Sequence, residues 1–319
     1  MAKYIVKRIL LMLFTLFVIT TICFMLVRIL PRELPQDKNL QAVIEARWDA
    51  LGYNEPLLVQ YGIYLKNIIT KWDFGTSWYI SVMKPAWDVI IDRLLPTVLV
   101  NLYSLLFSIP IGIGFGVLAA IKKNKWQDSV ISTLVMLFVS IPSYVYAFLV
   151  QYFLYFKLNW FPQNVYSLAD AGGSWFTPKM FYSMIPAILA LSFGTIAGLT
   201  RFTRAELTET LTSEYMLLAR TKGLTRAQAT TRHALKNAMV PIMPMIISSF
   251  IGILGGSLII EQIFSIPGVG QLYMDSITLR DYDVFMMDSI FYTFVGLLAG
   301  IVVDISYGFI DPRIRMGER

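Results

Sequence analysis

His233 and Cys23 are the only imidazole and the only thiol in 319 residues. A structural zinc site takes four such ligands and a catalytic one three. His233 therefore reads as a helix residue in a polar segment, and Cys23, inside an apolar run, as a small packed side chain. Nucleotide hydrolysis lacks its equipment too. A phosphate-binding loop needs G-x-x-x-x-G-K-[ST], with glycine amides cradling phosphate and the lysine reaching its outer oxygens, and the chain holds no Gly-Lys pair. Two carboxylates, Glu261 and Asp304, lie within or at the end of apolar runs, where a charge costs about 2.5–3.5 kcal/mol on insertion scales. Glu261, near the outer end of its run, reads as an exposed or gate-lining acid satisfied by water. Asp304, near the inner end of the last run, reads as half of a structural pair with a basic residue.

The segment 201–237 offers a different chemistry, that of a surface. Leu211, Tyr215, Leu218 and Ala219 recur at helical spacing and predict one apolar face, with Thr212, Ser213, Arg220 and Thr221 on the polar side. Gly223 followed by Leu224 has the form of a glycine-terminated helix end. Thr225 with Gln228 three residues on predicts a capping box that opens a second helix through Arg226, Arg232, His233 and Lys236. Such a helix at a membrane face either lies on lipid headgroups or docks a soluble partner, and the residues alone fit both.

The elements that position this segment follow from composition. The chain is 56% hydrophobic and only 15% charged, against roughly 45–50% and 25% for a soluble domain. The excess falls in uncharged runs at 9–27, 94–121, 129–156, 180–200 and 237–260, and in a sixth at 289–310 broken only by Asp304. About 20 residues at 1.5 Å rise cross a hydrocarbon core of roughly 30 Å. An all-α polytopic membrane protein with six crossings is expected, and a soluble enzyme, a disulfide-stapled module and a disordered tail are excluded. The first run, about 20 residues without a small-residue cleavage site after it, reads as a retained helix. With the amino terminus inside, sixteen of the 27 Lys and Arg fall in inside segments, and most of the rest lie in the long stretch 31–93, which crosses largely regardless of charge. Both termini are expected inside, so the net charge of +6 reflects topology and no nucleic-acid partner is implied. Residues 31–93 are expected to fold as an outer cap. Trp72, Trp78, Trp87, Trp126 and Trp160 near predicted ends read as interfacial anchors, and glycines at 112, 114, 116, 252, 256, 296 and 300 as places of close helix approach.

The stretch 214–241, EYMLLARTKGLTRAQATTRHALKNAMVP, resembles the cytoplasmic signature loop of binding-protein-dependent ABC importer permeases. Further motifs are similar to the dipeptide, oligopeptide and nickel permease family: Phe74-Gly75-Thr76-Ser77, Arg93-Leu94-Leu95-Pro96-Thr97, AAIKKNKWQD at 119–128, Ser140-Ile141-Pro142-Ser143, FSIPGVG at 264–270, Arg280-Asp281-Tyr282 and Asp311-Pro312-Arg313. Length, the large first outer loop and the short basic tail look most like the family's oligopeptide B-type subunit. Two departures stand out. Leu217 occupies the position, six before Gly223, where the general importer signature has Glu, and Pro31-Arg32-Glu33-Leu34-Pro35 stands where such permeases often have Pro-Gly-Asp.

The resemblance implies a type I ABC importer permease fold, divided into residues 1–30 (inner terminus and first crossing), the cap 31–93, the permease core 94–310 containing the coupling loop 201–237, and a tail 311–319. It implies that Glu214, Tyr215, Leu218, Ala219, Arg220, Lys222 and Gly223 form a coupling helix fitted to an ATPase subunit, and that Glu261, Phe264 and Pro267 belong to a candidate outer gate. The implied partners are a second, homologous permease subunit, two ATP-binding subunits, an extracytoplasmic peptide-binding protein and membrane lipid. ATP-Mg is implied in the partners and no cofactor on this chain, which is expected to be a non-enzymatic transport subunit of a bacterial cytoplasmic membrane.

Overall fold

The computed structural model describes residues 2–31, 38–50 and 52–310. The tail, and with it Asp311-Pro312-Arg313, lies outside the described residues, as do the positions 32–35 of the departure at Pro31.

The apolar runs become long helices because a backbone in hydrocarbon must satisfy its own hydrogen bonds. In chain order these are α1 (Ala2–Ile29), the short α2 (Lys38–Ala50) and α3 (Leu57–Lys71), a two-residue antiparallel pair β1 (Thr76–Ser77) and β2 (Lys84–Pro85), then α4 (Ala86–Ile121), α5 (Trp126–Ser140), α6 (Ser143–Gln151), α7 (Pro178–Leu211), α8 (Glu214–Thr221), α9 (Arg226–Ala229), α10 (Leu235–Gly252), α11 (Leu258–Ile263), α12 (Val269–Thr278) and α13 (Tyr282–Ile310). Among the described residues five helical stretches are long and apolar enough to cross a membrane, and six if one bent pair counts as a single span.

That pair covers the crossing expected at 129–156 and is bent within it. α5 and α6 meet at 101°, because Pro142 cannot extend the preceding helix and opens α6 instead. The fourth run also extends further than its apolar residues suggest: α7 continues to Leu211. The fifth crossing starts at Arg226, where α9 passes through a π-helical turn, Thr230–Ala234, into α10. Of the two short helices expected in 201–237, only α8 is detached.

α4 and α7 form the central pair. Gly112 and Gly116 sit against α7, where a Cβ on Gly116 would lie 2.5 Å from the Thr203 Cβ and 2.9 Å from the Thr200 carbonyl oxygen. The close approach expected of small residues is therefore made at 112 and 116, whereas Gly114, Gly252, Gly296 and Gly300 would meet nothing within 4 Å. Gly116→Val should separate the two helices and cost about 1–3 kcal/mol, the usual effect of overpacking, while Gly114→Ala should be neutral. Thermal unfolding of the two variants in the same detergent distinguishes them.

Arg8 pairs with Asp304 at 2.9 Å, joining α1 to α13 as expected for that acid. A carboxylate not read from the apolar runs, Asp288, lies in the span Tyr282–Ser306, one residue before the run at 289–310, fully buried and with neither carboxylate oxygen hydrogen-bonded. Trp72, Trp126 and Trp160 are exposed, as anchors should be, but Trp78 is buried beside Asp281.

Candidate functional site: the α8 corner and the clamp at the opposite end

At one end of the bundle, α8 is held as a short lever. Its chain breaks from α7 at Thr212 and Ser213 and restarts at Glu214, which resets the helical phase. Leu211 is therefore left on α7, and the inward face of α8 is Met216 and Ala219, three residues apart, packed with Ala120, Leu207, Ala229, Ala234 and Ala238. Tyr215 and Leu218, expected to share one apolar face with Ala219, are separated from it and point outward with Leu217, at 39%, 56% and 63% exposure. Glu214, Arg220, Lys222 and Gly223 are exposed beside them.

The corner that ends α8 is built from two paired bonds. The Gly223 amide donates to the Arg220 carbonyl at 3.0 Å and the Leu224 amide to the Ala219 carbonyl at 3.3 Å, a Schellman motif that requires a left-handed residue at position 223. Gly223 supplies it at φ +88°. Leu224 turns back onto the same apolar cluster. The next helix opens as its sequence predicts, with the Gln228 amide donating to Thr225 Oγ1 at 3.3 Å and the Thr225 amide to Gln228 Oε1 at 3.1 Å. Two well-terminated helix ends thus fix the angle at which Tyr215, Leu217 and Leu218 are presented.

The far end of the bundle is clamped by two buried carboxylates. Asp281, fully buried, accepts on Oδ2 from Ser77 Oγ at 2.7 Å and from the amides of Trp78, Tyr79 and Ile80 at 3.0–3.1 Å. Two separate motifs, Phe74-Gly75-Thr76-Ser77 and Arg280-Asp281-Tyr282, are the two halves of this contact. Glu261 corrects the expectation of a water-exposed acid. It is 2% exposed and accepts from Thr97 Oγ1 at 2.9 Å, from the Gln271 amide at 3.0 Å and from the Ser257 amide at 3.4 Å. Burial raises its pKa, while these donors pull the other way. Thr97 Oγ1 in turn accepts from the Val269 amide at 2.9 Å, so the Arg93–Thr97 motif and FSIPGVG also meet. Of the other candidate gate residues, Phe264 is buried in the core with Met180 and Met184, and Pro267 is half-buried on the loop between α11 and α12.

Thr97 links Glu261 to α12 through one hydroxyl. Thr97→Val, nearly isosteric, leaves the carboxylate one donor short and the Val269 amide without its acceptor, at about 2–4 kcal/mol for two groups. Thr97→Ser should recover most of it, as a difference in melting temperature between the two variants would show.

The residues that hold the far end, Asp281, Thr97 and Ser77, carried no individual role in the sequence. Their pairing is across 164 to 204 positions, and only the place of each in a recognisable motif signalled them.

Residues 112–316 match the family described as "Binding-protein-dependent transport system inner membrane component", and residues 1–101 its companion "Binding-prot-dependent transport system membrane comp, N-term". The dipeptide transport system permease protein DppB of Lactococcus lactis subsp. cremoris is 36% identical over 99% of this chain and 100% of its own length. DppB of Bacillus subtilis is 32% identical over 100% of both chains. The glutathione transport system permease protein GsiC of Escherichia coli K12 is 31% identical over 99% of both. An inward-facing structure of the MetNI methionine ABC transporter superposes with a TM-score of 0.56 at 16% identity, covering 70% of this chain and 97% of that one, which shows the shared fold. The chain therefore belongs to the dipeptide/oligopeptide family of ABC importer permeases, multi-pass components of binding-protein-dependent transport systems in the inner membrane.

Proposed function

We propose that this chain is one half of a peptide-conducting channel, paired with a homologous permease subunit and driven by two ATPase subunits docked at α8, with a peptide-binding protein on the opposite face and both termini on the ATPase side. The observation that carries the reading is the α8 corner. A helix in a polar segment turns Tyr215, Leu217 and Leu218 outward and adjoins an open hollow of about 600 Å³ lined by Leu217, Arg220, Thr221, Gly223, Leu224, Thr225 and Arg226. Exposed apolar residues rimmed by charge mark a contact with protein or membrane, and the resemblance of 214–241 to the importer signature loop favours the protein. Glu214, Arg220 and Lys222 form that rim, while Ala219 and Gly223 set the height and angle of the helix.

On this reading ATP binding moves the two ATPases together, α8 moves with them, and the bundle shifts from inward to outward access. The shift requires that the ATPase contact α8 differently in its two states, since a partner with equal affinity for both moves no population. ATP-Mg stays with the partner subunits.

The cargo is proposed to be oligopeptides, on the length, large first outer loop and short basic tail that resemble the oligopeptide B-type subunit. A dipeptide range is the second reading, supported by relatives whose names specify dipeptide and glutathione. Proteoliposomes holding the assembled complex and its binding protein should accumulate labelled peptide only with ATP inside the ATPase compartment, and competition among di-, tetra- and octapeptides should rank the cargo. Equal uptake without nucleotide would overturn the ATP-driven reading.

A further inference from the structure

A groove lies between α4, α5 and α7, apart from the α8 corner and the clamp. It has a volume of about 390 Å³ and is walled by Phe115 and Leu118 of α4, Val130 and Leu134 of α5, and Ile196 of α7. Its floor is formed by Val135, Ala197 and Thr200, all buried. Its inner end is closed by aromatic rings: Phe138 stacks on Phe193 at 5.0 Å between centroids, and Tyr146 stands edge-on to Phe193 at 5.8 Å. This wall stands beside the bend at Ser140 and Pro142. From Trp126 to Phe138 the groove runs along twelve residues of α5, about 18 Å at 1.5 Å per residue.

The length selects the occupant. Half of a roughly 30 Å hydrocarbon core is one leaflet, so the groove matches the length of one acyl chain.

The mouth selects the headgroup. The turn that joins α4 to α5 carries Lys122, Lys123 and Lys125, of which the last two are exposed, and Trp126 follows at 71% exposure. This end lies on the side of the α8 corner, because Ala120 of α4 packs in the α8 cluster. The acid closest in sequence, Asp128, does not oppose an anion there. Its carboxylate is held by Arg204, Nε to Oδ1 at 2.5 Å and Nη2 to Oδ2 at 2.8 Å, and by the Asn124 amide at 3.0 Å.

We propose that this groove is a binding site for one anionic phospholipid, with an acyl chain between α4, α5 and α7 and its phosphate on the Lys122–Lys123–Lys125 turn. A lysine at a membrane surface contributes about fivefold in affinity for anionic lipid, so the three together set a preference over a zwitterionic lipid of the same chains. Because α5 shares this turn with α4, an occupied groove would also brace the two helices beside the docking corner.

The test uses the assembled transporter in nanodiscs containing a phosphatidylglycerol with a diazirine in its acyl chain. After illumination and digestion, label is expected on peptides from α4, α5 and α7. Excess phosphatidylglycerol should compete it away and phosphatidylcholine should not. Lys122→Gln, Lys123→Gln and Lys125→Gln combined should reduce labelling at least about tenfold. Leu134→Trp should fill the groove and remove the label, and the lysine variant, altered outside the packed core, decides the matter if that protein does not accumulate. Label spread equally over the exposed faces of α1 and α13, or insensitive to the lysines, would overturn the proposal. So would a photo-crosslinker at Val130 that captures the second permease subunit, which would make the groove a subunit interface.

Discussion

Leu218→Glu is expected to leave the permease folded and at its normal level while its ATPase partner no longer co-purifies and uptake falls to background. The side chain is 56% exposed, so the substitution removes little from the packing of α8 on the bundle, and surface changes of this kind usually stay within about 0.5 kcal/mol of stability. At the proposed docking face the same change places a carboxylate in an apolar contact. Loss of a central interface side chain costs about 2 kcal/mol or more, roughly thirtyfold in association. Leu217→Glu should behave alike. Ala219→Asp is a different experiment, because residue 219 is 6% exposed and faces the bundle. It should lower the melting temperature as well as uptake. Gly223→Val lies between these. There is open space around a Cβ at that position, so the cost is conformational, about 1–2 kcal/mol for a left-handed residue, and the corner relaxes to another angle. Normal ATPase retention and uptake in Leu218→Glu would remove α8 from the docking reading whatever the other variants do.

The second large effect is expected from Asp281→Ala. One oxygen accepts four hydrogen bonds in a site closed to water. Removing it orphans a hydroxyl and three amides, each costing about 1–3 kcal/mol when left unsatisfied in a closed site. Even with partial relaxation the sum, on the order of 5 kcal/mol, is comparable with the stability of a whole domain. The variant should accumulate poorly, and what is recovered should be cut by protease in the loop 78–84. Asp281→Asn isolates the charge. Its oxygen can keep the four donors while its nitrogen takes the place of Oδ1, which has no hydrogen-bond partner. A moderate loss in melting temperature with an intact loop is expected. If Asp281→Ala melts with the wild type, the carboxylate is not what fastens the α3–α4 connection to the start of α13.

These two ends bear on function together. Asp281 ties the β1–β2 loop to α13, and Glu261 ties the loop between α11 and α12 to α4 through Thr97, so each acid joins segments far apart in sequence.

The amino-acid sequence determined most of the membrane architecture, since an apolar run has few alternatives in lipid and each helix there must satisfy its own backbone. It also determined the α8 corner in detail. Gly223, Leu224, Thr225 and Gln228 act within a few residues of one another, and local hydrogen-bond chemistry of that kind is readable from spacing. The facing of α8 was different: the single apolar face expected of Leu211, Tyr215, Leu218 and Ala219 is split, because the core takes Met216 and Ala219 and leaves Tyr215 and Leu218 outside. The bend at Pro142 belongs to the same class: a proline there marks a break, but spacing alone does not give its 101° angle. Only the tertiary structure decided that Glu261 is buried, that Asp281 holds a loop some 200 positions earlier, and that Asp288 sits inside a span without a partner. Those outcomes depend on which distant donors come to surround a carboxylate, and helical periodicity, a short-range signal, carries no record of that.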